Sequence, residues 1–153
     1  MNLPTGYTIS FWTILYSQLG YLISNGGHSA DNAYHGISIR ITAIGRLWLT
    51  LKHPDGRFWS CGSPDGAPQM EHWVHVTATW SEQDGASLFL DGTKVCSDQN
   101  PVPGTIAGND GEFHIGVKVP EMNKYCHCII DDIRTWAQQL SDEEIFELYE
   151  SGK

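Results

Sequence analysis

The sequence lacks several features that would assign it to a particular class of protein. No run of about 18 apolar residues occurs, and Met1-Asn2-Leu3-Pro4 resembles no signal peptide, so we expect no membrane span and no leader. Lys and Arg number only nine against 18 Asp and Glu, and they are scattered singly along the chain. Because the sequence has no cluster of basic residues that could bind a phosphate backbone, nucleic acid is not an expected partner. Neutral ligands and cations remain compatible with the formal charge of −9.

Motifs of hydrolytic enzymes are also missing. The chain contains neither Gly-x-Ser-x-Gly nor His-Glu-x-x-His. Glycoside hydrolysis needs two carboxylates facing the scissile bond, and no predicted strand carries such a pair. Glu82-Gln83-Asp84 has a suitable spacing, but it lies in a predicted turn. We therefore predict a protein that is not an enzyme.

The cysteine pattern excludes one metal site and favours disulfides. No Cys-x-x-Cys occurs, which disfavours a zinc ribbon, and Cys126-His127-Cys128 cannot chelate one zinc ion from a flat strand. In a predicted strand Cys126 and Cys128 are too far apart for an easy mutual bridge, so we expect one of them to bond to a distant cysteine. Four cysteines allow three pairings, and we predict at least one bridge, choosing Cys61 with Cys96. Four reduced, buried thiols are the alternative.

What the sequence does contain is a recurring strand pattern. The 153 residues are 41% hydrophobic and 11% aromatic and include 16 Gly, a composition typical of one packed β domain. Apolar and polar residues alternate in several segments, and turn residues separate them. Roughly ten strands without a helical period predict two antiparallel sheets packed as a sandwich. The clearest alternating segments are "GISIRIT", "RLWLTL", "EHWVHVTATW" and "SLFLDG".

The C-terminal region alone predicts a helix. Ser141 and Glu144 have the spacing of a capping box, and Leu140 can contact Ile145 as a hydrophobic staple. Ile145, Leu148 and Tyr149 share one side of a helix of about two turns. Because isolated helices of this length are marginal in water, we expect this helix to dock onto the sandwich as a structural cover.

Five segments in order carry a resemblance to a known family: "TISFW", "HWVHVTATW", "LFLDGTKV", "FHIG" and "IIDDIRTWAQQLSDEEIFELY". Together they resemble the laminin-G-like and pentraxin-like domains of the concanavalin A-like lectin/glucanase superfamily. The resemblance covers nearly the whole chain and implies an all-β fold, a two-sheet antiparallel jelly-roll sandwich with one short C-terminal helix. It also implies that Trp12, Trp80 and Trp136 fill the core. Family members usually have a further strand before "TISFW", and this strand is missing here. Because the first residues lead directly into a strand, we expect residues 1–153 to be a single domain excised from a longer protein.

The same resemblance implies calcium as a cofactor. Asp31-Asn32 resembles the Asp-Asn pair that supplies calcium ligands in pentraxins, whereas the pentraxin Glu-Gln-Asp run is absent. Ca²⁺ takes hard oxygen ligands, which other residues could provide. We expect one ion at most, and ordinary turn chemistry is the alternative for these residues. The remaining candidate ligands are Asn109, Asp110, Glu121 and Asn123.

Glycan binding would need exposed aromatic rings beside hydrogen-bonding groups. The candidates are Tyr34, His35, Trp48, Trp59 and Trp73. Trp59 lies beside a turn, and of these residues it is the one least expected to be fully buried. Packing in the core or at a sheet edge is the alternative for each Trp.

The expected function is therefore that of a secreted or extracellular recognition module binding a glycan or an extracellular protein, with calcium assisting. A structural or adhesive domain without a sugar site, within a larger secreted or receptor protein, is one alternative, and a domain related to polysaccharide hydrolases is another. The sequence shows no specific sign of a pentraxin-like ring.

Overall fold

The chain folds into ten strands and one helix in the computed structural model, which describes residues 6–27, 35–101, 113–117 and 124–153. The strands are β1 (Gly6–Leu15), β2 (Gly20–Ser24), β3 (Gly36–Ile41), β4 (Leu47–Lys52), β5 (Phe58–Gly62), β6 (Trp73–Ser81), β7 (Gly85–Leu90), β8 (Thr93–Asp98), β9 (His114–Ile115) and β10 (Cys128–Trp136). The helix α1 spans Asp142–Gly152.

The strands form two five-stranded antiparallel sheets. One has the order β10-β1-β6-β7-β8 and is called the helix-side sheet, because α1 packs on its outer face; the opposite sheet has the order β5-β4-β3-β2-β9. The jelly-roll sandwich predicted from the sequence is confirmed. Within the described residues, no helix is long and apolar enough to cross a membrane.

The core lies between the sheets and follows the alternation read from the sequence. In the opposite sheet Ile39 pairs with Leu49, and both are fully buried. Val76 and Ala78 of β6 supply the facing layer from the helix-side sheet. Alternate residues of these strands point inward because successive side chains of a strand face opposite sides.

The tryptophans expected in the core divide between two layers. Trp80 is buried among the core residues, as expected. Trp12 and Trp136 are instead partly buried on the outer face of the helix-side sheet, so this part of the expectation is wrong. The reason at Trp12 is the strand period: Phe11 points into the core, which turns its neighbour outward.

The helix begins with the predicted capping box. The Ser141 hydroxyl accepts a hydrogen bond from the Glu144 backbone N–H at 3.2 Å, and the Glu144 carboxylate accepts one from the Ser141 N–H at 2.8 Å. Ile145 is fully buried against Phe89 and Leu140, which confirms that the helix docks on the sandwich. The helix has 11 residues, or three turns rather than two, because regular structure continues to Gly152.

Two disulfides are present. Cys61 on β5 bonds to Cys96 on β8 with a Cα–Cα distance of 5.8 Å, which confirms the predicted pair. This bond joins the edge strands of the two sheets at one side of the sandwich. Cys126 bonds to Cys128, so the expectation of a distant partner is wrong. Cys126 precedes β10 instead of lying within it, and the Cα–Cα distance of 5.4 Å suits a bridge.

Candidate functional site

A groove of about 790 Å³ lies where the C-terminal end of α1 meets the outer face of the helix-side sheet. We call it the helix-end groove. It brings together three aromatic rings and five charged side chains. They come from β1, β6, β10, the turn between β7 and β8, and the C-terminal end of the helix region. Its lining residues are Trp12, Trp73, Asp91, Asp131, Asp132, Arg134, Tyr149, Gly152 and Lys153.

Strand register builds the middle of the groove. On β1, Trp12 pairs with His75 of β6 on one side and with Asp131 of β10 on the other. Directly opposed residues of antiparallel strands lie side by side, so these three side chains form one row across the sheet. The ring centroid of Trp12 is 5.0 Å from that of His75 and 5.8 Å from that of Tyr149. The helix therefore packs directly on this row.

The end of the helix closes against the same tryptophan. A Cβ placed on Gly152 would lie 2.7 Å from the indole nitrogen of Trp12, closer than real Cβ atoms approach other atoms. Glycine at this position therefore allows the last helical turn to contact the ring, which holds Trp12 in place at the edge of the groove.

A β-bulge shapes the rim of the groove. Ser10 pairs with Arg134 and Trp12 pairs with Asp131, so one residue of β1 faces two residues of β10. Asp132, within the bulge, has a φ of 51°. Bulges of this kind bend a strand and redirect its side chains, and they occur often beside functional sites. Here the bulge presents charged side chains of β10 beside the aromatic row.

Hydrogen bonds fix the carboxylates of the bulge. The Asp132 carboxylate accepts from Arg134 Nε at 2.9 Å and lies 2.9 Å from a terminal nitrogen of the same guanidinium. The Asp131 carboxylate accepts from the Asp132 backbone N–H at 2.8 Å. Both carboxylates are therefore held in defined positions, although both are exposed.

The third carboxylate of the groove comes from the turn between β7 and β8. Asp91 and Gly92 have φ values of 49° and 74°, the conformation expected for the predicted Asp-Gly hairpin turn. The Asp91 carboxylate accepts a hydrogen bond from the backbone N–H of His75 at 2.9 Å. A Cβ on Gly92 would crowd Phe146 and Tyr149, so the turn packs closely against α1.

His75 lies at the base of this arrangement and is only 3% exposed. Burial lowers the pKa of its imidazole, an effect that the charges of Asp91 and Asp132 oppose and that of Arg134 reinforces. Its Nδ1 atom has no hydrogen-bond partner among the described residues. The lowered pKa favours the neutral imidazole, which packs against the rings of both Trp12 and Tyr149.

The groove combines rings suitable for stacking with groups suitable for hydrogen bonding. Trp73 is 48% exposed, and Trp12 and Tyr149 are partly exposed. Carboxylates accept hydrogen bonds and the guanidinium of Arg134 donates them, so both functions of a sugar hydroxyl can be met. A second groove near the start of α1 is lined by hydroxyl, amide and charged groups without an aromatic ring, which makes it less suited to ring stacking.

The aromatic residues proposed from the sequence are not gathered in one site. Trp73 lines the helix-end groove. Trp59 is 2% exposed, so the expectation that it is accessible is wrong: its position on β5 between outward-facing Phe58 and Ser60 turns it into the core.

The other two described candidates belong to the opposite sheet. Trp48 lies across Gly62 on the outer face of that sheet, and the Arg46 guanidinium is 5.6 Å from the centroid of its ring. His35 is half-buried just before β3. Neither residue lines the helix-end groove.

The remaining sequence predictions lie outside the described residues. They are Tyr34 and the six candidate calcium ligands, Asp31, Asn32, Asn109, Asp110, Glu121 and Asn123. Within the described part of the chain, no three His, Cys, Asp or Glu side chains are placed to hold a metal ion. Calcium therefore stays a prediction from the sequence.

Comparison with known proteins agrees with the fold. Residues 1–146 match the laminin G model described as the concanavalin A-like lectin/glucanases superfamily. The chain is 25% identical over 150 residues to human adhesion G-protein coupled receptor D1, covering 93% of this chain and 16% of the receptor.

Solved structures of binding domains share the architecture. The binding domain of Paraclostridial Mosquitocidal Protein 1 has a TM-score of 0.73 and 17% identity, over 97% of this chain and 37% of that chain. A structure of botulinum neurotoxin type C, whose cell entry depends on interaction with two ganglioside molecules, has a TM-score of 0.71 and 23% identity. The match covers 97% of this chain and 36% of that chain. The botulinum neurotoxin serotype D ligand binding domain in complex with N-acetylneuraminic acid has a TM-score of 0.71 and 16% identity, over 95% of this chain and 36% of that chain. These likenesses show the fold alone.

Proposed function

Since this chain belongs to the laminin G group of the concanavalin A-like lectin/glucanase superfamily, we propose that it is an extracellular, non-enzymatic recognition module that binds a glycan in the helix-end groove. Gangliosides and N-acetylneuraminic acid are named with similar neurotoxin structures, which supports carbohydrate as the broad class of ligand and not a particular sugar. The likeness to an adhesion receptor supports an extracellular location within a larger protein, since the chain spans 16% of that receptor.

One observation carries the proposal: the helix-end groove places exposed Trp73 beside Trp12 and Tyr149, with fixed hydrogen-bonding groups around them. The apolar CH face of a pyranose can stack on an aromatic ring while its hydroxyls bond to carboxylate and guanidinium groups. Asp91 and Asp131 are already held by backbone N–H groups. Such fixed groups lose little conformational freedom on binding, which favours affinity.

Binding of the protein to a panel of immobilised glycans, followed by titration with the best ligands, tests the proposal. We expect Trp73→Ala to weaken binding by about tenfold, as loss of an aromatic stacking contact predicts. Phe58→Ala is the matched control, because Phe58 is 56% exposed but lies on the opposite sheet, and it should bind normally. A thermal melt of each variant checks that it remains folded.

Two results would contradict the proposal. Unchanged glycan binding by Trp73→Ala would place the sugar site elsewhere on the domain. A protein that binds no glycan on the panel would favour the alternative of an adhesive domain that recognises another protein.

A further inference from the structure

We infer that the helix-end groove selects uncharged glycans and rejects anionic ones, such as sialylated or sulfated sugars. This inference rests on the proposed function of the groove, and it identifies Asp91 and Asp131 as the residues that determine the specificity.

The first argument is the charge that the groove leaves uncompensated. Asp91 and Asp131 line the groove and are exposed, and each receives a backbone hydrogen bond. Among the described residues, no Lys, Arg or His forms an ion pair with either carboxylate. Ionised carboxylates accept hydrogen bonds, which suits the hydroxyls of a neutral sugar and opposes a second anion.

The second argument is that both cations of the groove are already engaged. Arg134 directs its Nε and one terminal nitrogen to the carboxylate of Asp132. This is the paired geometry with which a guanidinium would bind the carboxylate of a sialic acid or a sulfate. Lys153 pairs with Glu150 at 2.7 Å, and its ammonium lies 4.7 Å from the ring centroid of Tyr149. An anionic sugar would have to compete with these internal partners for the two cations.

The third argument is the charge of the chain, which is −9 at neutral pH. A field of one sign lowers the local concentration of ligands of that sign. Asp91 and Asp131 have no cationic partner among the described residues, so repulsion at effective dielectric constants typical of protein surfaces predicts a discrimination of about tenfold. Because salt screens exposed charges, the discrimination should weaken as the ionic strength rises.

The test compares neutral glycans with their own charged derivatives. Lactose and N-acetyllactosamine, each beside its 3′-sialylated and its sulfated form, are presented on one surface together with the wider panel. We expect the protein to bind the neutral member of a pair about tenfold more tightly at physiological salt, and to discriminate less at about 1 M salt, where the screening length is short.

Asparagine variants assign the effect to the two carboxylates. Asp91→Asn/Asp131→Asn keeps an oxygen to accept each backbone hydrogen bond, and asparagine tolerates the positive φ of Asp91. We expect this double variant to lose most of the discrimination. The control variant Asp65→Asn/Asp84→Asn removes the same amount of charge outside the helix-end groove. This control should keep the discrimination between neutral and anionic glycans.

The outcomes separate this inference from the proposed function. Equal or tighter binding of the anionic forms in the groove would overturn the inference and leave glycan recognition intact. Discrimination that persists unchanged in Asp91→Asn/Asp131→Asn would overturn the roles of these residues. Failure to bind any glycan, neutral or anionic, would overturn the proposed function together with the inference.

Discussion

The imidazole of His75 connects the groove to the stability of the fold. It is buried beneath Trp12 and Tyr149, and burial lowers its pKa. In the unfolded chain the same group should titrate near its ordinary pKa of about 6.5. Between these two pKa values the unfolded state binds more protons than the folded state, so acid favours unfolding.

We therefore predict that stability falls as pH drops below about 6.5 and that His75 contributes no such slope above it. One proton limits the contribution of His75 to about 1.4 kcal/mol per pH unit. Urea unfolding at several pH values, in the wild type and in His75→Phe, which keeps an aromatic ring without a proton to bind, measures this contribution.

His127→Phe is the control for that experiment, because His127 is exposed and contacts Tyr16 at the surface. It should retain the acid sensitivity of the wild type. If His75→Phe loses stability with falling pH as steeply as the wild type does, the neutral buried imidazole is not the cause.

Single residues also show the limits of prediction from sequence. The burial of Trp80 follows from the alternation of apolar and polar residues in its strand. The burial of Trp59 follows from the same alternation once the bounds of β5 are known. The nearby turn suggested exposure for Trp59, but the strand period decided its direction. By contrast, the exposure of Trp73 depends on packing around the end of β6, which no local pattern reports.

At the scale of the element, the helix was the most predictable part of the chain because its signals are local. Ser141→Ala removes the side chain that caps the Glu144 N–H, so we predict a loss of about 1 kcal/mol in the free energy of unfolding. Chemical denaturation of the folded protein measures this loss.

Ser151→Ala provides the control at the other end of the helix, where the hydroxyl donates to the Leu148 carbonyl. We expect little change in the free energy of unfolding of this variant. A Ser141→Ala variant as stable as the wild type would mean that packing of Ile145 alone determines the start of the helix.

The bulge in β10 was not predictable in the same way. "IIDDIRTW" reads as one continuous strand in the sequence, and the paired aspartates in it gave no sign that one residue of β1 would face two of β10. The register depends on the partner strand, more than one hundred residues earlier in the chain. For this reason the sequence supplied Trp73 as a candidate but did not place Asp131 and Arg134 in the groove.

At the scale of the whole molecule, the sandwich follows from the number and period of the strands, whereas the groove follows from where the last two elements lie on it. The C-terminal helix crosses the outer face of the helix-side sheet and ends against Trp12, next to β10. The floor, rim and cover of the groove thus come from segments far apart in sequence. A local reading can identify each segment but cannot place them together.

The disulfide between Cys61 and Cys96 acts at this same scale, since it joins the edge strands of the two sheets across a separation of 35 residues. Cross-linking a loop of this length should destabilise the unfolded state by roughly 3–4 kcal/mol. We predict that Cys61→Ala/Cys96→Ala loses an amount of this order in urea unfolding under oxidising conditions.

Cys126→Ala/Cys128→Ala is the matched control, because this bridge spans a separation of only 2 residues and restricts the unfolded chain much less. Thiol titration of the denatured wild type should find no free cysteine, since both bridges are formed in the structure. Equal losses in the two double variants would show that chain restriction is not the source of stability. Four titratable thiols in protein from an oxidising compartment would show that the sheets hold together by packing alone.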